Sequence, residues 1–420
     1  MKVAVIGGGW AGLAAAVEAT RRGHAVTLFE MAAQLGGRSR SIESGGSALD
    51  NGQHILIGAY TETLRLMRMV GVDIEAAFLR TPLRITYPEG AGLQLAAGAA
   101  IPAFARAVLR HGAWSWRDRL ALLTACAGWS LRGFRCDPAL TVASLAAAVP
   151  VAVREDLIDP LCVAALNTPA ADASASVFLR VLKDALFAGP GSADLLLPRI
   201  GLSDALPSPA DRWLRSAGAR LELSHRIQRL QSDRAGWDVD GMHFDAVVLA
   251  TTPTEAARLA EPIAPLWSAT AAALRYEPIV TLYLQSAGTT LPEPMLALHA
   301  DDSAPAQFVF DRGQLGGPRG LLAFVISGAQ PWVARGMAAT LQATVAQAQM
   351  ALGPHLRSPL QALRTLTEKR ATFRCTPGLT RAAMPIAAGL FAAGDHVEGP
   401  YPATLEGAVR SGVAAARAVG

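Results

Sequence analysis

Short apolar runs alternate with one long small-residue segment in the first thirty residues. The run from Val3 to Ile6 is rich in β-branched residues, as is typical of a buried parallel strand. A glycine-rich turn follows, and an alanine-rich segment then extends to about Arg22, where Gly23 has the position of a C-cap glycine. A second apolar run, Ala25 to Phe29, completes the pattern. Strand, helix and strand in this order predict a βαβ unit within a parallel sheet.

Three later stretches carry further strand and helix patterns. Residues 224–253 predict a strand, a turn, a second strand and then a buried apolar strand that ends near Thr251. Tyr276 to Gln285 predicts a strand of a second sheet. Near the C-terminus, Leu390 to Ala393 predicts a short strand and Ala403 to Val419 a helix of small residues. These stretches add strands far from the first βαβ unit in the chain.

The glycine-rich turn has the spacing of a dinucleotide-binding site, G-x-G-x-x-G. Gly7 allows a tight turn, Gly9 lets the backbone approach a pyrophosphate, and Gly12 allows close packing of helix on strand. Phosphates would then meet unpaired N–H groups at the positive end of the helix. Glu30, directly after the second strand, can accept hydrogen bonds from ribose hydroxyls. The predicted cofactor contacts of this turn are Gly7, Gly9, Trp10, Ala11 and Gly12.

Length, charge and cysteine content restrict the remaining function classes. A chain of 420 residues is too long for one simple core, so two interleaved domains are expected. Half of the residues are apolar, but no stretch offers the roughly 18 uncharged apolar residues of a membrane span. The net charge of +4 is too small to indicate a nucleic-acid partner. Four cysteines without a C-x-x-C pair predict a reducing cytoplasm and no metal site, and no signal peptide precedes the first strand.

Two further motifs resemble those of the flavin amine oxidase and phytoene desaturase superfamily. The first is Gly36-Gly37-Arg38, and the second is the closing sequence GLFAAGDHVEGPYPATLEGAV, which contains Asp395. Two glycines let the backbone lie along a cofactor, and an arginine fork can pair with its pyrophosphate. The resemblance implies FAD as the cofactor, with the carboxylate of Asp395 at the ribityl chain.

The same resemblance implies an α/β fold with a discontinuous cofactor domain. Residues 1–80, 200–270 and 370–420 are expected to form a Rossmann-type FAD-binding domain of the glutathione-reductase type. Residues 81–199 and 271–369 are expected to form an interleaved α+β substrate domain. The residues carried over to further cofactor contacts are Met31, Asn51, Gly52, Gln53, Ile227 at the adenine, and the backbone of Thr404 and Leu405 at the pyrimidine end of the flavin.

The stretch ALDNGQH, about a dozen residues after the GGR element, and its continuation GAYTETLRLMRMVG closely resemble the hydroxysqualene dehydroxylase family. The resemblance extends from Met1 to about Val72 and resumes at YEPIVTLYL and in the closing motif. It implies reductive removal of an allylic hydroxyl from a C30 isoprenoid alcohol, hydroxysqualene, to give squalene. An external electron donor is also implied. The polar loop from Asp50 to His54 is then expected to face the flavin.

The reaction requires a proton donor for the departing hydroxyl. The candidates are His54 and Asp50 in the loop and Tyr401 and His396 in the closing motif. Each has a structural alternative: Asp50 could orient the loop, His54 could bind the flavin, Tyr401 could form a cavity wall and His396 could face solvent. Two other functions stay open, a carotenoid-type desaturase and a non-catalytic flavin-binding isoprenoid carrier, because fold alone does not separate them.

The segment from residue 101 to residue 135 mixes arginines with Trp114, Trp116 and Trp129. Helices of this composition suit a bilayer interface, so peripheral attachment to the inner face of the cytoplasmic membrane is one hypothesis. An ordinary pair of amphipathic helices over a core is the alternative. The arginines of this segment are Arg106, Arg110, Arg117, Arg119, Arg132 and Arg135.

The predicted second sheet carries no lysine, since none occurs between Lys183 and Lys369. Amine-oxidising members of the superfamily hold a water at the flavin with a lysine on a comparable strand, so the sequence argues against an amine substrate. The apolar positions favour a lipid substrate, although most apolar strand residues are simply core. The expected cavity walls are Val280, Leu282, Leu284, Phe308, Phe310, Leu322, Phe324 and Val325.

Overall fold

A computed structural model describes residues 1–44, 47–90, 92–233 and 236–420. The strands are β1 Lys2–Ile6, β2 Ala25–Phe29, β3 Ser41–Ser44, β4 Ser47–Asp50, β5 Leu56–Ile57, β6 Phe78–Thr81, β7 Arg84–Thr86, β8 Gly92–Gln94, β9 Leu195–Pro198, β10 Arg220–Glu222, β11 Leu230–Asp233, β12 Gly236–Val239, β13 Met242–Phe244, β14 Ala246–Leu249, β15 Tyr276–Gln285, β16 Met295–Ala297, β17 Phe308–Asp311, β18 Leu321–Ile326, β19 Gln361–Phe373, β20 Pro385–Ala387 and β21 Leu390–Ala392.

The α-helices are α1 Trp10–Arg21, α2 Thr61–Met69, α3 Ile74–Ala77, α4 Ala100–Arg110, α5 Trp116–Leu131, α6 Val142–Leu145, α7 Val151–Val153, α8 Asp159–Leu166, α9 Ala175–Phe187, α10 Leu202–Ala205, α11 Pro207–Ser216, α12 Pro253–Ala260, α13 Pro265–Ala272, α14 Gln330–Arg335, α15 Met337–Leu352 and α16 Leu405–Ala418. A π-helical turn joins α7 to α8, and short 3-10 helices occupy Arg312–Leu315 and Gly353–His355.

Strands from three distant parts of the chain form one six-stranded sheet in the order β10-β2-β1-β14-β21-β20. The first five strands are parallel, and β20 pairs antiparallel with β21. The pairing of β1 with β2 runs in register from Lys2 opposite Ala25 to Ile6 opposite Phe29. The βαβ unit and the α/β fold class are therefore confirmed, whereas the domain limits stay a prediction.

The expected first strand of the segment 224–253 begins later than predicted. Residues 225–229, which include Ile227, are irregular, and β11 starts only at Leu230. The strands β11, β12 and β13 form an antiparallel sheet beside the parallel one. The turn expected between the first two strands falls at residues 234–235, outside the described residues. Instead of pairing in a strand, His225 donates its backbone N–H to the carbonyl of Glu30.

The last helix of the chain packs on the first one. Both α1 and α16 are rich in alanine and glycine, so their backbones approach closely: a Cβ built on Gly412 would lie 2.1 Å from the carbonyl oxygen of Ala11. Their small side chains share one buried core with β1, α2 and α11. This packing brings the C-terminal motif to the glycine-rich turn at the start of the chain.

A buried carboxylate links the two packed helices and predicts a pH effect on stability. Glu18 of α1 is fully buried and accepts hydrogen bonds from Arg21, at 2.9 Å, and from Arg417 of α16, at 3.2 Å. Burial by itself raises the pKa of Glu18, but the hydrogen bonds from Arg21 and Arg417 lower it from 4.5 to about 2. The stabilisation is therefore complete above the unfolded pKa and is lost as the pH falls through the folded one.

We expect Glu18→Gln to lower the free energy of unfolding most at neutral pH. The difference between variant and wild type should shrink as the pH falls from about 7 to about 3, because Glu18 of the unfolded wild type then binds a proton while Glu18 of the folded protein stays ionised. Urea unfolding at the two pH values measures this difference. A difference that does not change with pH would show that Glu18 contributes by packing alone.

A second, five-stranded antiparallel sheet has the order β16-β17-β18-β15-β19. Because side chains alternate between the two faces of a strand, the expected cavity walls divide into two groups. Phe308, Phe310 and Val325 pack with the helices of the substrate region. The other residues pack on the opposite face with α15, so the prediction that they line a cavity is wrong; these are Val280, Leu282, Leu284, Leu322 and Phe324.

The tryptophans between residues 101 and 135 have different environments. Trp114 and Trp129 lie in the core, and the indole N–H of Trp114 donates to the carboxylate of Asp156 at 2.9 Å. Trp116, at the start of α5, is 64% exposed. Only this one of the three tryptophans is available to a membrane surface. Within the described ranges, none of the helices has the length and apolar content needed to cross a bilayer.

Candidate functional site

The glycine-rich turn has the geometry that its predicted roles require. Gly7 adopts a φ of +109°, and a Cβ on this residue would lie 2.4 Å from the carbonyl oxygen of Ala250. A Cβ on Gly12 would lie 1.8 Å from the carbonyl oxygen of Gly7, so α1 packs against the turn itself. At Gly9 the nearest described atom to such a Cβ would be 3.9 Å away, on Gly37. The surface of Gly9 is thus left for a ligand.

The side chain of Trp10 fixes the start of α1 against the GGR element. Trp10 and Ala11 are buried in the first turn of the helix, and the indole N–H donates to the carbonyl of Ser39 at 3.0 Å. The backbone N–H of Gly36 donates to the carbonyl of Gly8 at 2.9 Å. The two glycine motifs therefore form one continuous backbone surface at the N-terminus of α1, where an anionic phosphate is favoured.

Glu30 lies at the end of β2, where a ribose is predicted. Its Oε2 accepts from the N–H of Gly8 at 2.6 Å and its Oε1 from the N–H of Ala32 at 2.8 Å. Each carboxylate oxygen keeps a further lone pair for a ribose hydroxyl. Met31 beside it is 61% exposed, and the carbonyl of the buried Ile227 accepts a hydrogen bond from Arg258 at 2.6 Å. The roles of Met31 and Ile227 at an adenine stay predictions.

Arg38 and Asp395, which are 357 residues apart in the chain, form an ion pair with an N–O distance of 2.6 Å. Arg38 also donates to the carbonyl of Ala371 at 2.6 Å. Burial by itself raises the pKa of Asp395, but Arg38 and His396 hold it well below its usual range, so the carboxylate is ionised. The sequence predicted separate cofactor contacts for Arg38 and Asp395, and the structure shows that they also bind each other.

Two buried polar atoms near this pair lack a hydrogen-bond partner within the described part of the chain. They are the hydroxyl of Tyr276 and Nε2 of His396. Burial raises the pKa of Tyr276, and the charges of Arg38 and Asp395 act on it in opposite directions. His396 is 1% exposed, so the alternative that it faces solvent is wrong. An unsatisfied buried polar group costs about 1–3 kcal/mol, which indicates a ligand that supplies the missing partners.

These observations fit FAD. The glycine turns would hold its pyrophosphate, Glu30 the adenosine ribose, and Arg38, Asp395 and Tyr276 the polar groups between pyrophosphate and flavin ring. Tyr276 was not assigned to the cofactor from the sequence, because an apolar strand pattern does not show which end of the strand reaches the site. Helix α16 begins at Leu405, and the hydroxyl of its N-cap residue Thr404 accepts from the N–H of Gly407. The predicted contact of the Thr404 and Leu405 backbone with the flavin stays a prediction.

The loop after β4 is held by a network of buried polar groups. Oδ1 of Asp50 accepts from the N–H of Leu202 and from the hydroxyl of Ser41, both at 2.8 Å. The hydroxyl of Tyr283 donates to the carbonyl of Asp50 at 2.8 Å and accepts from the amide of Gln53 at 2.8 Å. Asp50 is 5% exposed. This geometry favours the alternative in which Asp50 orients the loop.

Two residues from the substrate region complete this network. Arg312, of which 11% of the side chain is exposed, donates to Oε1 of Gln53 at 3.2 Å and lies 3.9 Å from Oδ2 of Asp50. Glu368 of β19 accepts from the amide of Asn51 at 3.2 Å. Tyr283, Arg312 and Glu368 could not be predicted from the sequence, because a single polar side chain in a long strand or loop gives no pattern.

His54 lies beside the cofactor region through its bond to Ser39, the residue after Arg38. Its Nε2 is 2.9 Å from the hydroxyl of Ser39, and its Nδ1 is 3.2 Å from the carbonyl of Gly52. A carbonyl only accepts, so Nδ1 carries the proton and Nε2 accepts from Ser39. Burial lowers the pKa of His54 below 6.5, against the opposing effects of Gly52 and Asp50. The imidazole is therefore mostly neutral at pH 7.

Tyr401 lies apart from the loop network. The guanidinium groups of Arg180 and Arg410 lie over its ring, 5.4 Å and 4.9 Å from the centroid. Burial raises the pKa of Tyr401, so its hydroxyl is protonated at neutral pH. Its neighbours Pro400 and Pro402 line a basic cavity of about 340 Å³ together with Arg180. Tyr401 itself is not among the residues that line this cavity, so its role as a proton donor or as a wall of the substrate cavity stays a prediction.

We expect Tyr283→Phe to lower the free energy of unfolding by about 1–3 kcal/mol, because the buried carbonyl of Asp50 and the amide of Gln53 each lose their partner. Urea unfolding of the FAD-bound protein measures the change. Tyr87→Phe provides the control, since the hydroxyl of this buried tyrosine makes only a long bond of 3.3 Å to a backbone carbonyl. Equal effects of the two substitutions would contradict the importance of the loop network.

The parallel sheet, the paired glycine motifs and the buried carboxylate after β2 define a dinucleotide-binding flavoprotein. The family model for flavin containing amine oxidoreductases matches residues 10–420, so the chain belongs to that family. This membership confirms FAD as the cofactor and FAD-dependent oxidoreductase as the class of enzyme. It also confirms the fold that the glycine motifs and the closing motif predicted.

Individual relatives of this chain include hydroxysqualene dehydroxylases. Over 277 residues the chain is 30% identical to a hydroxysqualene dehydroxylase from Rhodopseudomonas palustris, and over 256 residues 29% identical to one from Zymomonas mobilis. These alignments cover 61% and 57% of this chain, and the chain spans only 63% and 57% of the length of the two relatives. The crystal structure of an oxidoreductase from Methanosarcina mazei has the same fold, with a TM-score of 0.73, 17% identity and 99% coverage of both chains.

Proposed function

We propose that this protein is a hydroxysqualene dehydroxylase, which reduces hydroxysqualene to squalene with loss of water. The observation that carries the proposal is the polar loop Asp50–His54, which is fixed by buried hydrogen bonds and attached through Ser39 to the cofactor-binding GGR element. The similarity of this chain to hydroxysqualene dehydroxylases supports the choice of substrate. The hydride for the allylic carbon would come from reduced FAD held by the glycine motifs.

The chain's own residues have three tasks in this proposal. Asp50, Tyr283 and Arg312 hold the loop in one geometry and exclude water from its anchored side. Phe308 and Phe310, on the face of the five-stranded sheet that packs with the helices of the substrate region, contact the isoprenoid chain. A proton must reach the departing hydroxyl, and His54 is a titratable group of the loop that bonds to Ser39, next to the GGR element.

A proton donated by His54 makes turnover depend on pH. Burial places the pKa of this imidazole below 6.5, so its charged form increases as the pH falls from about 7.5 to about 5.5. We expect turnover to increase over the same interval, and we expect His54→Gln to abolish this dependence. Single-turnover reoxidation of the bound flavin by hydroxysqualene, followed across the interval, measures it. An unchanged profile in the variant would assign the proton to another group.

The proposal is tested by anaerobic incubation of the photoreduced protein with hydroxysqualene. Flavin absorbance and extracted lipid are followed together, and reoxidation with an equal amount of squalene supports the dehydroxylase. Reduction of the oxidised protein by a carotenoid precursor would instead identify a desaturase. Stoichiometric FAD without turnover in either direction would identify an isoprenoid carrier.

We also propose that the protein works at a membrane surface, where its lipid substrate resides. The support is a group of exposed apolar side chains on the neighbouring helices α4 and α5. These are Ile101, Leu109, Trp116 and Leu120.

A further inference from the structure

A concave surface beside α4 carries a concentrated positive charge. It has a volume of about 440 Å³ and lies between α4 and the β7–β8 hairpin. We call it the α4 pocket. Its lining includes Gly90, Gly92, Arg106, Arg110, His111 and Gly112. No described atom lies within 4 Å of a Cβ built on Gly90 or Gly112, so the backbone is open at these positions, and the two arginines come from the second half of α4.

The two arginines of the α4 pocket have no countercharge in the described ranges. Arg106 and Arg110 are exposed, are one helical turn apart, and form neither an ion pair nor a hydrogen bond with a described side chain. Arg119 nearby is different, since it donates to the carbonyls of Trp114 and Leu109. Like charges four residues apart on a helix repel each other. A bound anion would remove this repulsion.

The third polar group of the α4 pocket is a buried imidazole. His111 is 6% exposed, stacks on Trp114 with a centroid separation of 3.8 Å, and has an Nδ1 without a partner among the described residues. The carboxylate that acts on the pKa of His111 is that of Asp156, whose Oδ2 accepts a hydrogen bond from the indole N–H of Trp114. Two arginine forks on one concavity suit a phosphate group, and the imidazole of His111 forms part of the wall.

The surroundings of the α4 pocket indicate where such a phosphate comes from. Leu109, which lies between Arg106 and Arg110 along α4, is exposed. Trp116 and Leu120 are exposed on α5. The guanidinium of Arg119 lies over the ring of Trp116, 4.9 Å from its centroid. Tryptophan and leucine beside basic residues suit the boundary between headgroups and acyl chains. A surface in contact with water alone would not favour exposed tryptophan and leucine side chains beside arginines.

We propose that the α4 pocket binds the phosphate of an anionic phospholipid headgroup while the adjacent apolar side chains enter the bilayer. This inference deepens the proposed membrane attachment and is independent of the reaction at the flavin. It identifies a headgroup site rather than a general attraction between a basic surface and an anionic membrane.

Vesicle co-sedimentation with the FAD-bound protein tests the site. The vesicles are phosphatidylcholine alone or phosphatidylcholine with phosphatidylglycerol. The pocket variant is Arg106→Gln with Arg110→Gln. The control variant is Arg22→Gln with Arg68→Gln, which removes the same charge from two exposed arginines of the cofactor region. We expect the pocket variant to bind the anionic vesicles roughly 30-fold more weakly than the wild type, and the control variant to bind as the wild type does.

Three results would overturn the proposal. Equal binding of the pocket variant and the control variant to the anionic vesicles would support membrane attachment but contradict the headgroup site. Binding of inorganic phosphate by the wild type in calorimetry, without any vesicle binding, would assign the pocket to free phosphate. Absence of both would remove the site and the membrane attachment, and squalene formation from detergent-dispersed hydroxysqualene would show separately whether the proposed reaction stands.

Discussion

Gly12→Val is expected to purify without FAD. A Cβ at this position would lie 1.8 Å from the carbonyl oxygen of Gly7, and neither backbone can move without displacing α1 from the glycine turn. Overpacking of this kind costs about 3 kcal/mol, and the displacement destroys the phosphate-binding surface itself. The ratio of flavin to protein absorbance after purification measures cofactor content, and thermal unfolding measures stability.

Gly128→Val is the matched control for this substitution. Gly128 lies inside α5, and no described atom lies within 4 Å of a Cβ built on it. The variant should keep its FAD and should not be destabilised, because glycine in a helix interior is less stable than most residues by up to about 1 kcal/mol. A Gly12 variant that folds with stoichiometric FAD would show that close packing at this turn is not required for cofactor binding.

Asp50→Ala is expected to reduce turnover by about 100-fold. The substitution leaves the N–H of Leu202 and the hydroxyl of Ser41 without this acceptor and removes the carboxylate 3.9 Å from Arg312, in a region where Asp50 is 5% exposed. Loss of these contacts frees the loop, and a displacement of about 1 Å at an active site costs roughly this factor. We expect the free energy of unfolding to fall by about 2–4 kcal/mol as well.

Asp50→Asn separates positioning from proton transfer. The amide oxygen of asparagine keeps the hydrogen bonds to Leu202 and Ser41. The substitution removes only the negative charge that lies 3.9 Å from Arg312. If Asp50 positions the loop, turnover stays within about tenfold of the wild type. A folded Asp50→Asn protein as inactive as Asp50→Ala would identify this carboxyl as the proton donor. Reoxidation of photoreduced flavin by hydroxysqualene measures both variants.

The cofactor half of the site could be predicted because its signals are local. The turn from Gly7 to Gly12 and the acid at Glu30 occur in one βαβ unit, where spacing along the chain determines spacing in the structure. The GGR element and the closing motif were recognised by resemblance. The contact between Arg38 and Asp395 was not predicted, since it depends on α16 packing against α1.

The substrate half was predicted less well, for an identifiable reason. The strands β15 and β18 are apolar on both faces, so their sequences carry no alternation that distinguishes the cavity side from the side of α15. Leu282 and Phe324 were therefore assigned to a cavity from which they point away. The same ambiguity applies to Trp114 and Trp129, whose burial depends on helices that pack over them.

The sequence by itself determined the βαβ unit, its glycine turn, the cofactor class and the polar loop from Asp50 to His54. These features depend on neighbours within about thirty residues, for which dihedral preference and periodicity are sufficient. The tertiary structure alone decided which groups the loop residues contact. Asp50, Tyr283 and Arg312 meet only after two sheets have formed, and the hydrogen bonds that Asp50 then makes are the physical reason to expect that this carboxylate positions the loop.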